Sequence, residues 1–386
     1  MAARRATALA VALFVFGFGE ELWFRYLPEY LRTLGASVLV VGLFGTVKDL
    51  LDAAYAYPGG WISDRLGTRR ALLLFGGLTV VGCAVMWAWR SVAGVFAGIV
   101  LVMAWASLGL PATFSLIGEE LDQSRRIGGF TVQAILKRLP IVLAPPLGGL
   151  LLTRFGTAPG IRIGLLVSIV LSLAMLAGLA RALRATESSS AAPLRDLVNP
   201  PALPPALRRL LEADCLIRLC EGLPDVFLVV WAIEVVRVTP AQFGILVSVR
   251  TLTSIVSYAP AVALAGKTEK KPFVLLTYAF FTAYPLAVLL SRSFEALIAA
   301  YVVGGLSEIG EPARKALIVD LADPTARGRS VGIYYSIRGF AVAGAAAIGG
   351  ALWTIRPSLT FLTATALGVL GTLWAARSLP ARERPV

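Results

Sequence analysis

The chain has 386 residues, of which 57% are apolar or aromatic and only 15% are charged. Soluble domains carry about 25% charged residues, so this composition excludes a cytosolic enzyme, a disordered chain and a secreted disulfide scaffold. Apolar runs of about 20 residues cross a bilayer as helices. The composition therefore predicts an all-α membrane protein with many spans.

Long apolar runs that end at charged residues, Gly or Pro predict twelve transmembrane helices. In chain order they cover 6–32, 36–62, 68–90, 92–117, 127–153, 158–181, 213–236, 241–266, 271–291, 294–319, 328–353 and 355–378. A connector rich in Arg, Ser and Pro separates the sixth run from the seventh. We therefore expect an N-terminal six-helix bundle over 1–184, a cytoplasmic linker over 185–210 and a C-terminal six-helix bundle over 211–386.

The 36 Lys and Arg residues are distributed unevenly: 22 lie on the side of the N-terminus, 7 lie on the opposite side and the other 7 lie inside predicted spans. Basic residues concentrate in cytoplasmic loops, so both termini are expected in the cytoplasm. The net charge of +13 then reports topology and not nucleic-acid binding. We expect a monomeric integral protein of the inner (plasma) membrane, in contact with the lipid bilayer.

The sequence contains three Cys and no His. The three Cys lie inside apolar runs without the spacing of a disulfide framework, which is typical of packing residues. The lack of His removes His-ligated metals and Ser-His-Asp triads. With no phosphate-binding loop or nucleophile arrangement either, we predict no enzyme activity, no metal and no other cofactor.

The two halves of the chain resemble each other at an offset of 201–202 residues. Three of the matched pairs are charged in both halves: Glu20 with Glu221, Lys48 with Arg250, and Lys137 with Arg338. Two parallel six-span repeats are a transporter design, with the substrate site near the bilayer midplane.

A basic segment between the second and third predicted spans carries a recognisable motif. It reads Gly59-Gly60-Trp61-Ile62-Ser63-Asp64-Arg65-Leu66-Gly67-Thr68-Arg69-Arg70. This resembles the signature Gly-x3-Asp-Arg-x-Gly-x-Arg-Arg of the major facilitator superfamily, and the resemblance extends to the whole chain. It implies two pseudo-symmetric six-helix bundles, with a conformational latch formed by Gly60, Asp64, Arg65, Gly67, Arg69 and Arg70. Positive-inside anchoring is the alternative role of the three arginines.

A second motif lies in the fifth predicted span, where Ala144 precedes Pro145, Pro146, Leu147, Gly148 and Gly149. It resembles the Gly-Pro-x-x-Gly-Gly element of the superfamily's antiporters, which implies export. The alternative is an ordinary packing helix that Pro and paired Gly kink. The fourth predicted span departs from many proton-coupled members, because residues 91–110 contain no charge.

Charges inside spans are expensive and therefore indicate function. Helical spacing predicts intrahelical pairs of Glu21 with Arg25, Lys48 with Asp52, Arg218 with Glu221, and Glu311 with Arg314 or Lys315. The proton-coupling candidates are the carboxylates Glu20, Glu21, Asp49, Glu308 and Glu311. The candidates for substrate binding or gating are Lys48, Lys137, Arg138, Glu221, Asp225, Arg250 and Arg338.

Together these features predict a secondary transporter that moves a small organic solute by alternating access. We expect a proton-coupled efflux antiporter whose partners are a small-molecule substrate and protons. One alternative is uptake or exchange of an organic anion, which the paired bases suggest. An alternative from another class is a non-transporting membrane receptor or scaffold on the same fold.

Overall fold

The computed structural model describes residues 2–66, 68–105, 123–182, 203–265, 270–311, 314, 317–318, 321 and 327–379. The regular structure in these ranges is helical, without strands. Five of the described helices are long and apolar enough to cross a membrane. The chain is thus the all-α membrane protein that its composition predicts, while the count of twelve spans stays a prediction.

The helices of the first half are α1 (Ala2–Glu21), α2 (Leu27–Thr33), α3 (Val38–Leu66), α4 (Thr68–Ala88), α5 (Val92–Met103), α6 (Gln123–Phe155) and α7 (Thr157–Ala182). The helices of the second half are α8 (Pro205–Asp225), α9 (Pro240–Ala265), α10 (Lys270–Leu290), α11 (Phe294–Leu306), α12 (Arg327–Ala343), α13 (Ala345–Ile355) and α14 (Pro357–Ser378). A short helix, Phe227–Val230, and a π-helical turn, Trp231–Val235, follow α8.

The chain divides into two compact units. The first contains Met1–Ser37, Val47–Pro193 and Thr239–Ser248, and the second contains Val38–Thr46, Leu194–Val238 and Val249–Val386. The first residues of α3 therefore belong to the second unit, and the first residues of α9 belong to the first unit. The predicted boundaries of the bundles and the linker stay predictions.

In the first unit, α1 packs on α6 and α7, and α4 packs on α5 and α7. The centre of one core cluster is Phe16, whose ring stacks on Trp105 at 4.0 Å between centroids, beside buried Phe75. Apolar side chains also cover the outside of α7, where Val170 is 65% and Leu173 is 52% exposed. Such an apolar outer surface fits contact with lipid.

In the second unit, α8 is the central helix and packs on α10, α12, α13 and α14. Its residues Leu210 and Ile217 are buried in one cluster with Tyr278 of α10 and Tyr334 of α12. Helix α8 begins at Pro205, inside the predicted linker and before the predicted start of the span at residue 213. The hydropathy of the sequence did not reveal residues 205–212 as helix, because polar side chains at 208, 209 and 212 interrupt the apolar run. Only one face of this part of α8 is apolar and buried.

The first predicted span, 6–32, is two helices instead of one. Helix α1 ends at Glu21, a 3-10 turn covers Phe24–Tyr26, and α2 follows with Pro28 in its first turn. Pro fits there because its missing N–H would lack a helical partner anyway. The carbonyl of Gly19 accepts a 2.5 Å hydrogen bond from Ser168 of α7, whose Oγ accepts a 2.8 Å bond from the Trp23 indole.

Candidate functional site

One face of α8 carries a row of charges at helical spacing. Asp214, Arg218 and Glu221 are four and three residues apart and so lie on the same side of the helix. Arg218 Nη1 donates to Glu221 Oε2 at 2.6 Å, which confirms the predicted intrahelical pair. Arg218 Nε also lies 4.0 Å from Asp214 Oδ1.

Asp214 is fully buried and accepts hydrogen bonds from three other parts of the second unit. Arg314 Nη1 donates to its Oδ2 at 2.6 Å and Arg338 Nη1 of α12 donates to the same oxygen at 3.4 Å. The hydroxyls of Tyr334 and Tyr278 donate to the carboxylate at 2.9 and 3.4 Å. A carboxylate can be buried at this depth only because charged and neutral donors surround it.

The side chain of Arg314 is almost completely buried. Arg314 lies near the end of the tenth predicted span, 294–319, and is one of the two bases predicted to pair with Glu311. Its side chain is 1% exposed, because Asp214 and Glu311 together neutralise and hydrogen-bond the guanidinium. Burial is tolerable only with such compensation.

Glu311 joins Arg314 to Arg218. Arg314 donates to Glu311 twice, from Nε at 2.8 Å and from Nη2 at 2.6 Å, which confirms this predicted pair. Arg218 Nη2 reaches the same carboxylate at 3.4 Å. Arg218 is therefore shared between Glu221 on its own helix and Glu311 beyond α11.

Arg250 of α9 extends the row at its other end. Its Nη2 donates to Glu221 Oε1 at 3.3 Å, an interhelical pair of the kind that the lack of an intrahelical partner predicts. The guanidinium lies 4.8 Å from the ring centroid of Tyr284. It is also within electrostatic reach of Asp225 and Glu308.

We call the connected set the charge network, and its members are Asp214, Arg218, Glu221, Arg250, Glu311, Arg314 and Arg338. Burial changes along it. The side chains of Asp214 and Arg314 are 0% and 1% exposed, whereas those of Glu221 and Arg250 are 25% and 20% exposed. The network is therefore closed at Asp214 and Arg314, and it is more exposed at Glu221 and Arg250 and also at Arg338, whose side chain is 22% exposed.

Aromatic rings hold several of these arginines from one side. Arg218 lies 5.1 Å from the ring of Phe281, and Arg338 lies 4.6 Å from the ring of Tyr335. Stacking covers one face of the planar guanidinium and leaves its edge for hydrogen bonds. Each of these arginines therefore has an aromatic neighbour as well as a carboxylate partner.

The predicted residues of the first half lie in several places. Glu21 accepts two hydrogen bonds from Arg25, at 2.8 and 3.1 Å, which confirms that pair. Lys48 Nζ lies 3.4 Å from its neighbour Asp49. Glu20 and Arg138 are half-buried, and the side chain of Lys137 lies outside the described part of the structure.

The residues of the predicted latch end α3 and begin α4. Gly60, Asp64 and Arg65 lie in the last turns of α3, with side chains outside the described part, and Gly67 lies outside it altogether. Arg69 Nη2 donates to the carbonyl of Ala180 at 2.6 Å, while Arg70 is exposed. The latch role of these residues stays a prediction.

The antiporter-like motif lies inside α6, where Pro145 and Pro146 occupy helix positions. The Tyr26 hydroxyl donates to the Pro145 carbonyl at 2.6 Å. A side chain at Gly148 would overlap the carbonyl of Leu22, and one at Gly149 would overlap that of Pro240. The close backbone packing that paired Gly predicts is therefore present in this unit.

The sequence analysis did not single out Asp214, and it did not predict that Tyr278 and Tyr334 contact Asp214. Asp214 stands at the second residue of the predicted seventh span, where a charge usually meets headgroups or water. The available signal was its spacing of four from Arg218, which predicts a shared face. The tyrosines gave none, because their partner lies 64 and 120 residues away in the chain.

Helices long enough to span a membrane and paired charges inside one unit fit a polytopic transporter. The chain is a member of the major facilitator superfamily, whose family model matches residues 9–233 and again residues 215–386. No curated protein matches the chain. Its fold and family make it a transporter and not an enzyme.

Solved structures share the fold at low identity. A POT family transporter in complex with a thioalcohol-conjugated peptide is 16% identical, with a TM-score of 0.77 over 96% of this chain and 94% of that one. The human organic anion transporter MFSD10 (TETRAN) is 17% identical, with a TM-score of 0.67 over 97% and 99%. A bacterial homolog of the human lysosomal transporter Spinster is 14% identical, with a TM-score of 0.70 over 96% and 95%.

Proposed function

We propose that the protein is a proton-coupled antiporter that exports a small organic solute by alternating access. The observation that carries the proposal is the position of Arg218 between two carboxylates, 2.6 Å from Glu221 and 3.4 Å from Glu311. A proton on either carboxylate removes one partner, and the guanidinium then favours the other. Pairs that break and re-form are how such proteins distinguish two conformations.

Within this proposal, Glu311 and Glu221 have different roles. Glu311, one of the five predicted proton-coupling residues, takes and releases the proton, because its loss of charge directly frees Arg218. Glu221 and Arg250 are at the more exposed end of the charge network and contact the solute. Arg218 thereby couples the two events. A proton on Glu311 weakens the pair of Arg218 with Glu311, and a solute at Glu221 changes the pair of Arg218 with Glu221.

Two other segments of the chain determine the direction of transport and the change between conformations in the same proposal. The Pro145–Gly149 segment, which resembles the antiporter element, supports export. Asp64 and the surrounding basic loop serve as the latch of one conformation. The protein works as a monomer in the inner membrane. Both termini lie in the cytoplasm in this proposal, which the distribution of basic residues favours.

Exchange or uptake of an organic anion is the second candidate. Among the described residues, the guanidinium of Arg250 makes one hydrogen bond, to Glu221, and rests on Tyr284. Its other N–H groups could bind a carboxylate, and an organic anion transporter shares the fold.

Transport into proteoliposomes with three radiolabelled probes separates the candidates. The probes are the cation tetraphenylphosphonium, the zwitterion 5-aminolevulinic acid, which a POT family transporter of this fold binds, and the anion benzoate. We expect Glu311→Gln to abolish proton-driven movement of the transported probe, and Glu212→Gln, on the surface of α8, to leave it intact. Benzoate transport that ignores the pH gradient and survives Glu311→Gln would favour anion exchange and overturn the antiporter proposal.

A further inference from the structure

The buried end of the charge network replaces what is apolar packing in the other half of the protein. At the repeat offset of 201–202 residues, Asp214 corresponds to Ala12 or Leu13, and Arg218 to Phe16 or Gly17. In the first unit, Ala12 and Phe16 belong to an apolar cluster with Phe75 and Trp105. The same helix pattern thus packs without any charge at these positions.

The physical cost makes this difference informative. Buried ion pairs lose hydration, and apolar residues of similar volume are often as stable in their place. Because the first unit packs Ala12 and Phe16 without a charge at the positions that match Asp214 and Arg218, folding alone gives no reason for a fully buried Asp214. A role in holding other groups accounts for it better.

Asp214 has the geometry of such a holding group. It contacts Arg218 on α8, Arg314 beyond α11 and Arg338 on α12, and it accepts from tyrosines on α10 and α12. Two of the arginines that it contacts, Arg218 and Arg338, are partly exposed, with side chains 17% and 22% exposed. Asp214 contacts one side of Arg218, while Nη1 and Nη2 of Arg218 reach Glu221 and Glu311.

We infer that Asp214 is a positioning residue, which holds Arg218 where Glu221 and Glu311 compete for it and holds Arg338 beside them. The charged groups around Arg218 in this arrangement are Asp214, Glu221, Glu311, Arg314, Arg250 and Arg338, with the hydroxyls of Tyr278 and Tyr334 on Asp214. The effect of Asp214 on transport rests on the proposed function. The positions of Arg218 and Arg338 can be measured without a solute.

The first test is modification of arginines by phenylglyoxal in detergent, read residue by residue by mass spectrometry. In Asp214→Asn, which keeps the shape and removes the charge, we expect Arg218 and Arg338 to react about tenfold faster, because each loses a charged partner. Arg162, which lies over Trp87 in the first unit, is the internal reference. Glu212→Gln removes a surface ion pair of the same helix and should leave Arg218 and Arg338 unchanged.

A second variant guards against a simple folding defect. Asp214→Ala with Arg314→Met replaces both members of the buried pair by apolar residues, and we expect it to fold and to show the same faster reaction of Arg218 and Arg338. Unchanged reaction rates in a folded variant would overturn the positioning role. Failure of both variants to fold would also overturn it, because Asp214 would then be a requirement of folding.

The transport arm distinguishes this inference from the proposed function. If wild-type transport depends on pH, folded Asp214 variants should lose that dependence while Glu212→Gln keeps it; retention of the dependence would contradict the inference. If wild-type transport ignores pH, the proposed proton coupling fails, and the phenylglyoxal rates still decide the position of the arginines.

Discussion

At the scale of single residues, the second unit shows how strongly a buried charge depends on its partners. Asp214 and Arg314 lie 2.6 Å apart, almost without exposed surface. Their mutual attraction offsets the hydration that both lose, and hydrogen bonds from tyrosines complete the carboxylate's shell. Removing one partner should therefore cost more than removing both.

Arg314→Met tests this asymmetry. It leaves Asp214 and Glu311 without their main cation, and we expect a loss of about 3–5 kcal/mol in the free energy of unfolding. Asp214→Ala with Arg314→Met should lose clearly less. Unfolding in detergent, followed by tryptophan fluorescence, measures both; equal losses would show that the pair is not energetically coupled.

The first unit contains a buried hydrogen-bonded chain of uncharged groups, which can be compared with the buried ion pair of the second unit. Trp23 donates to Ser168, and Ser168 donates to the Gly19 carbonyl at the end of α1. Ser168→Ala leaves the buried indole N–H without this acceptor and should cost about 1–3 kcal/mol. The double variant Ser168→Ala with Trp23→Phe should cost less than the sum of its single variants, and strict additivity would contradict the importance of this bond.

Much of the site could be predicted from residue spacing. The pairs Glu21–Arg25, Arg218–Glu221 and Glu311–Arg314 follow from positions three or four apart on a helix, and all three are present. The links from Asp214 to Arg314 and Arg338 span 100 and 124 residues. No local spacing reports such contacts, because they depend on how helices pack.

At the scale of elements, hydropathy locates helices better than it locates their ends and breaks. The apolar run of 6–32 is continuous, yet the helix breaks between Glu21 and Leu27. Pro28 was the available signal, since Pro favours the first turn of a helix. The stabilising bonds of the break come from α6 and α7, and no pattern within the first span could show them.

The turn between α6 and α7 depends on a glycine. Gly156, between α6 and α7, has a φ of +87°, which other residues adopt at a cost of about 1–2 kcal/mol. We expect Gly156→Ala to lose this much stability. Gly77→Ala is the matched control, because Gly77 lies inside α4 with open space around it.

The control should gain rather than lose stability, by about 0.5–1 kcal/mol, since alanine favours the helix. Thermal unfolding of both variants in the same detergent gives the comparison. A Gly156→Ala variant as stable as Gly77→Ala would contradict the conformational argument.

At the scale of the whole molecule, the sequence predicts the class of fold and an orientation. The family match covers both halves of the chain, as the internal repeat suggests. Orientation rests on the distribution of basic residues alone, because the forces that set it come from the membrane and the insertion machinery. It therefore needs a measurement on cells.

Single cysteines on opposite sides provide it. In a background with the three native Cys replaced, we expect Arg382→Cys to be protected from a membrane-impermeant maleimide in intact cells, and Arg292→Cys to react. Inside-out vesicles should reverse the pattern. Reaction of both positions from the same side would refute the predicted topology.

Coupled movement of protons and solute is the central claim, and internal pH reports it most directly. Proteoliposomes loaded with the transported probe and the pH dye pyranine are diluted into probe-free buffer at equal pH. The account predicts that the interior acidifies as probe leaves, and that Glu311→Gln abolishes the acidification. Probe efflux with no change of internal pH in the wild-type protein would contradict it.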